Sequence, residues 1–217
     1  MIKKIVHFIL KQRYYINSEK YISFLKSKGI KIGSDCVFRE PRTAHIDLTR
    51  PWLISIGNRV DMNVNFHIYT HDWGGHVFIG KYNQMLNSSG GAVTIGSNIY
   101  FGANVTVLKG VNIGDNCIIG AGSTVTHDIP SGSVAAGNPC KVICSLDDYF
   151  AKRLKVAPWE AKDNVRSFYQ RYGRYPYENE LSEESIYYDG QPNLLPPPYK
   201  FTSYESFLDW CKESISE

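Results

Sequence analysis

The segment Thr70-His71-Asp72-Trp73 carries the side chains in this sequence that are best suited to move a proton. Neutral imidazole has a pKa that suits a general base near pH 7, and a neighbouring carboxylate can orient the ring. Asp72 could instead only turn the chain, and Trp73 could stack on a ligand or anchor a loop. Because the chain has six histidines, these residues alone do not identify His71 as a functional group.

Two further histidines allow a different chemistry in the same region. His67 lies between the apolar residues Phe66 and Ile68, so we expect its side chain to point outward near His71. Together with His76, these imidazoles are ligands of the kind that zinc prefers. A metal site is therefore the alternative interpretation, but nothing else in the sequence supports it, and we predict no metal.

A six-residue repeat must position these side chains. Apolar residues recur at Ile95, Phe101, Val107, Ile113, Ile119 and Val125, and a second ladder runs through Ile99, Val105, Val111, Cys117, Ser123 and Ile129. Neither a helix nor a strand in an open sheet has this period, whereas a parallel β-helix does, with three hexapeptides closing one triangular turn. We expect the small residues that follow the first ladder, Gly96, Gly102, Gly114 and Gly120, to turn the corners in a left-handed or tight backbone.

Four stretches of this repeat carry a resemblance to a known family. They are Ile95-Gly96-Ser97-Asn98-Ile99-Tyr100-Phe101-Gly102-Ala103-Asn104-Val105, Ile113-Gly114-Asp115-Asn116, Ile119-Gly120-Ala121-Gly122-Ser123-Thr124-Val125-Thr126-His127-Asp128-Ile129-Pro130 and Ala136-Gly137-Asn138-Pro139-Cys140-Lys141-Val142. They resemble the hexapeptide-repeat acyltransferases, and within them the O-acetyltransferases of bacterial surface polysaccharides and the maltose and galactoside acetyltransferases. The resemblance is strong over residues 54–149 and implies an all-β fold, a left-handed parallel β-helix.

The rest of the chain is expected to extend this β-helix at both ends. We predict an N-terminal helical cap over 1–30, the β-helix over 31–144 with an extended loop excursion over 74–92, and a C-terminal helical or irregular extension over 145–217. Residues 38–52 break the six-residue step and form either an irregular early coil or a loop that leaves the prism. In the extension, we expect separate helices over 146–156, 165–172 and 204–215.

The resemblance implies an acetyl-CoA-dependent O-acetyltransferase that acts on a saccharide hydroxyl in capsule, lipopolysaccharide or exopolysaccharide synthesis. His71 would be the general base of a direct transfer, with Asp72, Trp73, His67 and Asp47 as orienting or acceptor-side residues. Two alternatives stay open: an N-acetyltransferase for an amino sugar, and a trimeric zinc-dependent hydratase similar to the γ-class carbonic anhydrases. The acceptor itself is not identified.

The resemblance also implies a coenzyme site and a homotrimer. The pantetheine arm would follow a corner formed by Tyr100, Gly102, Ala103, Gly120 and Ala121, and its far end would reach Thr126, His127 and Lys141. His127 stands where lysine is usual and Cys144 where some members have arginine, so Lys141 and Lys109 are expected to carry more of the phosphate binding. In a trimer, His45, Asp47, Thr49 and Arg50 would complete the site from the neighbouring subunit.

Composition excludes some partners and favours a cytoplasmic setting. A net charge of +3 over 217 residues is too small to indicate a nucleic-acid-binding protein. The five cysteines are odd in number and lack metal-type pairing, which favours a reduced, cytoplasmic environment. No segment reaches the ~18 apolar residues of a membrane span, although basic residues near the N-terminus leave an amphipathic membrane anchor as an alternative to the cap.

Overall fold

The structure, a computed structural model, describes residues 13–86, 89–181 and 201–213. It divides into two units, Met1–Asp147 and Asp148–Glu217, which are described separately. The apolar N-terminal run over residues 2–10 and the proline-rich stretch over 195–199 lie outside the described residues, so the first part of the predicted cap is not covered.

The first unit is a coil of short strands. Its strands are β1 (Lys31–Ile32), β2 (Val37–Phe38), β3 (His45–Ile46), β4 (Ile54–Ile56), β5 (Val60–Met62), β6 (His67–Ile68), β7 (Val93–Ile95), β8 (Ile99–Phe101), β9 (Thr106–Val107), β10 (Asn112–Ile113), β11 (Cys117–Ile119), β12 (Thr124–Val125), β13 (Ser133–Ala136) and β14 (Lys141–Ser145). From β1 to β12 every third strand pairs in parallel, which gives sheet A (β1-β4-β7-β10), sheet B (β2-β5-β8-β11) and sheet C (β3-β6-β9-β12). Sheet B continues with β13, parallel to β11, and with β14, antiparallel to β13.

This connectivity is a three-sided parallel β-helix, as the six-residue period predicts. We number its successive turns coil 1 (β1–β3), coil 2 (β4–β6), coil 3 (β7–β9) and coil 4 (β10–β12). Every member of both predicted ladders is buried. Ser123, the one hydroxyl in the second ladder, donates to the Gly120 carbonyl at 2.6 Å, so its burial leaves no unsatisfied polar atom. The left-handed sense of the coil stays a prediction from the resemblance.

The corners differ from the expectation. The left-handed residues are those that precede the second ladder, among them Asn98 (φ 58°), Asn104 (φ 59°) and Asn116 (φ 58°). The glycines that follow the first ladder have another role, because a Cβ added to Gly102 would lie 2.5 Å from the Ala121 backbone nitrogen in the next coil. A left-handed backbone at these glycines is therefore wrong: they allow adjacent coils to approach closely.

Gly102→Ala is expected to destabilise the first unit by about 1–3 kcal/mol, because backbone atoms of the next coil cannot yield to the new methyl group. Gly80→Ala is the matched control, since an added Cβ there has no heavy atom within 4 Å. Urea denaturation of both variants measures the difference. Equal stability of the two variants would contradict the close-approach role of Gly102.

The described part of the N-terminal region packs on the first coil. Helix α1 spans Ser18–Ser27, and its buried residues Tyr21, Phe24 and Leu25 belong to the same apolar core as the strands. The early passage stays within the prism, because β3 pairs with β6 in register, with Ile46 opposite Ile68. The irregular early coil is thus the correct alternative for residues 38–52.

The excursion between β6 and β7 contains a helix rather than only an extended loop. Helix α2 spans Gly75–Tyr82 and has no buried residue. The base of the excursion closes on itself: His71 forms an antiparallel bridge with Gly90, and the Gly91 amide donates to the Thr70 carbonyl at 2.9 Å. The chain therefore leaves and re-enters the coil at one point, directly beside His71.

The second unit has its own small core. Helix α3 runs without interruption from Leu146 to Tyr172 and includes Pro158, so the two separate helices predicted over 146–172 are one element. Helix α4 (Tyr204–Lys212) contributes to a core that comprises Ala161, Val165, Leu181, Tyr204, Phe207 and Cys211. Among the helices in the described ranges, none combines the length and apolar character needed to cross a membrane.

Candidate active site

The edge that follows sheet C collects side chains from all four coils. His45, His67, Thr106 and Thr124 are aligned across this sheet, so the residues two to four places further on also stack along one edge, which we call the C corner. Asp47 comes from coil 1, His71 from coil 2, Lys109 from coil 3 and His127 from coil 4. Adjacent coils are separated by about 4.8 Å, the spacing of paired strands.

Asp47 and His71 meet at this corner within a single chain. His71 Nδ1 lies 2.6 Å from Asp47 Oδ2, and Thr49 Oγ1 lies 3.2 Å from the same ring nitrogen. The prediction that Asp47 and Thr49 come from a neighbouring subunit is therefore wrong. The in-register pairing of β3 with β6 is the reason, since it places the residues after each strand one above the other.

Asp47 is held as a buried carboxylate. Its Oδ1 accepts from the Thr49 amide at 2.9 Å and from Thr49 Oγ1 at 2.6 Å, while its Oδ2 accepts from the Thr70 amide at 3.0 Å and from Thr70 Oγ1 at 2.5 Å. Burial by itself raises the pKa of this carboxyl, but the hydrogen bonds from Thr49, Thr70 and His71 outweigh burial and lower the pKa below its usual value. Asp47 is consequently ionised at neutral pH.

The ionised carboxylate fixes the tautomer of the neutral His71 ring. A carboxylate can only accept hydrogen bonds, so the proton of the neutral imidazole is assigned to Nδ1, which donates to Asp47. Nε2 is then left without a proton. The side chain of His71 is 32% exposed, so this nitrogen belongs to a ring that a ligand can reach. The arrangement suits proton abstraction from a bound hydroxyl.

Asp72 turns the chain, which is one of the two roles that the sequence allowed, and it also forms an ion pair that the sequence did not predict. Its Oδ1 accepts from the Gly74 amide at 2.9 Å, and its Oδ2 forms an ion pair with Lys109. Lys109 Nζ also donates to Ser89 Oγ, where the excursion returns to the coil. Lys109 therefore joins both ends of the excursion to the C corner. Sequence reasoning assigned this lysine only to a phosphate and missed the contact, because it depends on coil stacking.

Lys109→Met is expected to loosen the base of the excursion without unfolding the coil. A partly exposed ion pair contributes about 0–1 kcal/mol, so protease cleavage within α2 should become about two- to fivefold faster. Limited proteolysis followed by mass spectrometry measures this change. Lys31→Met, at an exposed lysine on β1, is the control. Cleavage of the Lys109 variant at the control rate would contradict the joining role.

His67 contributes to an aromatic row rather than to the dyad. Its ring centroid lies 6.0 Å from that of His45 and 6.2 Å from that of Tyr69. In the part of the chain that the structure describes, no three His, Cys, Asp or Glu side chains converge on a point where they could hold a metal ion. The zinc alternative thus has no support from the described residues.

A cleft of about 550 Å³ opens in front of the dyad. Asp47 and His71 lie in its wall, and aromatic side chains from three parts of the chain line it, including Tyr15, Tyr69 and Trp73. Trp73 is 63% exposed, so its ring is available for contact with a ligand. The chain therefore presents an open surface that includes tyrosine and tryptophan rings beside an imidazole base.

The predicted coenzyme residues lie in separate parts of one chain. Tyr100 lies on the outer face of sheet B, where its Oη accepts from Asn63 Nδ2 at 3.2 Å. Gly102, Ala103, Gly120 and Ala121 follow strands β8 and β11 at the next corner, and Lys141 begins β14. Thr126 and His127 lie at the C corner, with Thr126 Oγ1 2.8 Å from His127 Nδ1. Only these last two share an edge with His71.

The chain is similar to one repeat family and to several known proteins. The family model described as "Hexapeptide repeat of succinyl-transferase" matches residues 92–127. Protein CapG of Staphylococcus aureus is 36% identical over 140 residues, which cover 64% of this chain and 80% of that protein. Galactoside O-acetyltransferase of Escherichia coli is 36% identical over 116 residues, 52% of this chain and just over half (56%) of that enzyme. The solved structure of a maltose O-acetyltransferase from Clostridium difficile is 29% identical, covers 58% of this chain and 75% of that one, and has a TM-score of 0.41.

Proposed function

The chain belongs to the hexapeptide-repeat acyltransferase family, and from that premise we propose that it transfers the acetyl group of acetyl-CoA to a hydroxyl of a saccharide. The observation that carries this proposal is the hydrogen bond of 2.6 Å between a buried, ionised Asp47 and the partly exposed His71 at the edge of an open cleft. The O-acetyltransferase activity in the names of its relatives supports a hydroxyl rather than an amine as the acceptor.

In the proposed mechanism, His71 Nε2 takes the proton of the saccharide hydroxyl as the hydroxyl oxygen attacks the thioester carbonyl. The imidazolium that forms is stabilised by the Asp47 carboxylate, which keeps its negative charge throughout. When the tetrahedral intermediate collapses, the carbon–sulfur bond breaks and the imidazolium returns the proton to the leaving sulfur. The products are the O-acetylated saccharide and free CoA thiol, and no covalent enzyme intermediate is needed.

The order of the coils suggests how the two substrates are arranged. We place the donor along the C corner on the coil 4 side of His71, where Thr126 and His127 lie, and the acceptor in the cleft on the coil 1 side. The other proposed contacts of the pantetheine arm, Tyr100, Gly102, Ala103, Gly120, Ala121 and Lys141, lie away from the C corner of the same chain, so in the proposed homotrimer they would come from the neighbouring subunit. The tight stacking of the coils already requires the two glycines, so they add no independent support.

The surrounding proposals follow from the family. We propose a homotrimer, a role in the synthesis of a bacterial surface polysaccharide and a cytoplasmic location. An N-acetyltransferase would use the same dyad, but the O-acetyl relatives favour a hydroxyl. Peripheral membrane association rests on the N-terminal segment, which lies outside the described residues.

The test is release of CoA thiol from acetyl-CoA in the presence of a panel of monosaccharides and oligosaccharides, followed by mass spectrometry of the sugar. We expect thiol release that depends on one class of sugar, with one added acetyl group per thiol. Absence of both acetyl-CoA binding and thiol release across the panel would reject the proposal. Stoichiometric zinc in the purified protein, together with no thiol release, would instead favour the hydratase.

A further inference from the structure

The cleft in front of His71 lies on one side of the proposed reaction centre. Its walls come from the 3-10 helix Arg13–Tyr15, from coil 1 and from the residues that follow β6. Thr126 and His127 lie two coils away in the opposite direction, about 10 Å along the C corner at the usual strand spacing. A donor that reaches His71 from coil 4 leaves this cleft free for the acceptor.

The aromatic side chains of the cleft form preformed surfaces on which a sugar ring could stack. The Tyr69 ring lies 5.2 Å from the His45 ring, and the Tyr15 ring lies 5.1 Å from the Tyr21 ring, so each tyrosine is held in place by a neighbour. Trp73 is 63% exposed at the rim. Such rings offer an apolar face with a polar edge, which matches the alternation of C–H faces and hydroxyl edges in a pyranose.

The charge of the cleft discriminates between classes of saccharide. Asp47 and Asp72 are the acidic residues in its wall, and no lysine or arginine occurs among its lining residues within the described ranges. The negative charge of Asp72 is already matched by Lys109, and that of Asp47 is satisfied by threonine and histidine donors. A uronate or sialate carboxylate would therefore lose hydration in the cleft without gaining a cationic partner among the described lining residues.

The size of the cleft indicates more than one sugar ring. Its volume of about 550 Å³ is within the range of pockets that enclose whole ligands, and it is open to solvent. A single pyranose ring is smaller than this volume, so the cleft has room for more than one ring.

We propose that this cleft binds a short, uncharged oligosaccharide as the acetyl acceptor, with sugar rings stacked on Trp73 and Tyr69 and one hydroxyl at His71. The proposal rests on the proposed function and adds to it the class of acceptor: neutral rather than acidic, and oligomeric rather than monomeric.

The test compares binding of neutral trisaccharides (maltotriose, cellotriose and chitotriose) with binding of acidic ones (trigalacturonate and a sialic acid trimer), using saturation-transfer NMR and tryptophan fluorescence. We expect at least one neutral trimer to bind about tenfold more tightly than every acidic trimer and than its own monosaccharide. Equal or tighter binding of an acidic trimer, or no binding of any neutral one, would overturn the inference.

Variants locate the binding in the cleft. Trp73→Ala should weaken binding of the neutral trimer about fivefold or more, through loss of the stacking surface. Trp52→Ala, at a tryptophan that is 72% exposed outside the cleft, should leave binding unchanged. Leu48→Lys adds a cation to the cleft wall and should improve binding of the acidic trimers. If Trp73→Ala binds as the wild type does, the cleft is not the site.

The binding and transfer measurements separate the two proposals. If an acidic trimer is the better binder and is acetylated from acetyl-CoA, the proposed function stands and the class of acceptor is wrong. If a neutral trimer binds in the cleft but no thiol is released from acetyl-CoA, the cleft is a saccharide site and the acetyl transfer is rejected.

Discussion

His71→Ala is expected to lower kcat for acetyl transfer by about 10²–10⁴-fold, the range over which general-base catalysis contributes to such reactions. The variant removes the nitrogen that accepts the hydroxyl proton but leaves the coil intact, because the ring is partly exposed and Asp47 keeps its threonine donors. Steady-state thiol release gives the rate, and thermal unfolding confirms that the fold is retained.

His76→Gln is the matched control for this prediction. His76 is an exposed histidine on α2, five residues after His71, so it tests whether loss of any imidazole in this region lowers the rate. We expect its activity to equal that of the wild type. Activity of His71→Ala within a few-fold of the wild type would assign the base to another group.

Asp47→Asn is expected to lower kcat by up to about 10⁴-fold, as the loss of an orienting carboxylate does in Ser-His-Asp enzymes. Where the asparagine amide nitrogen faces His71, the ring must accept at Nδ1 and carry its proton on Nε2, where it can no longer act as a base. The other amide orientation places the nitrogen against the Thr49 amide, which donates to Oδ1 in the wild type. In either orientation the new amide nitrogen faces a backbone N–H, that of Thr70 in the first and that of Thr49 in the second, so two donors face each other. This should cost about 1–3 kcal/mol of stability.

Thr70→Val separates the loss of stability in Asp47→Asn from the loss of kcat. It removes the hydrogen bond of 2.5 Å from Thr70 Oγ1 to Asp47 but leaves the carboxylate that accepts from His71. We expect a loss of stability similar to that of Asp47→Asn with a change in kcat of only a few-fold. If Thr70→Val loses as much activity as Asp47→Asn, Asp47 acts through the fold and not through the ring.

The lowered pKa of Asp47 also makes a prediction about acid stability. A carboxyl whose pKa is lower in the folded than in the unfolded chain stabilises the fold above its ordinary pKa of 3.8, and this contribution is lost as the pH falls towards the folded value. The difference in unfolding free energy between wild type and Asp47→Asn should therefore be constant from pH 7 to about pH 5 and should shrink below pH 3.8. A difference that does not change with pH would contradict an ionised Asp47.

The regular part of the fold was predictable because the side chains at every sixth position point into the interior, and nearly all of them are apolar. Ile95 to Val125 and Ile99 to Ile129 fill a narrow interior, and every predicted member of both ladders is buried. The corners were not predicted correctly. A glycine can permit either a left-handed backbone or a close approach, and only the distance from Gly102 to Ala121 in the next coil decides between them.

Sequence analysis named both members of the dyad but did not predict their contact within one chain. Asp47 precedes His71 by 24 positions, and the intervening passage breaks the six-residue step, so the register of coil 1 on coil 2 was undetermined. A usable signal does exist: Ile46 and Ile68 occupy equivalent positions, which places Asp47 one residue after the first and His71 three residues after the second. The contact of Lys109 with Asp72 and Ser89 depends on the same register and was missed for the same reason.

The central claim is that a buried carboxylate holds the His71 ring, which lies in the cleft wall, with its proton on Nδ1 and none on Nε2. The most direct measurement is NMR of protein labelled with ¹⁵N-histidine at a pH where the ring is neutral, with His71→Gln used to assign its signals. We predict a protonated Nδ1 and an unprotonated Nε2 for His71, and loss of that preference in Asp47→Asn. A His71 ring that carries its proton on Nε2 in the wild-type protein would contradict the account.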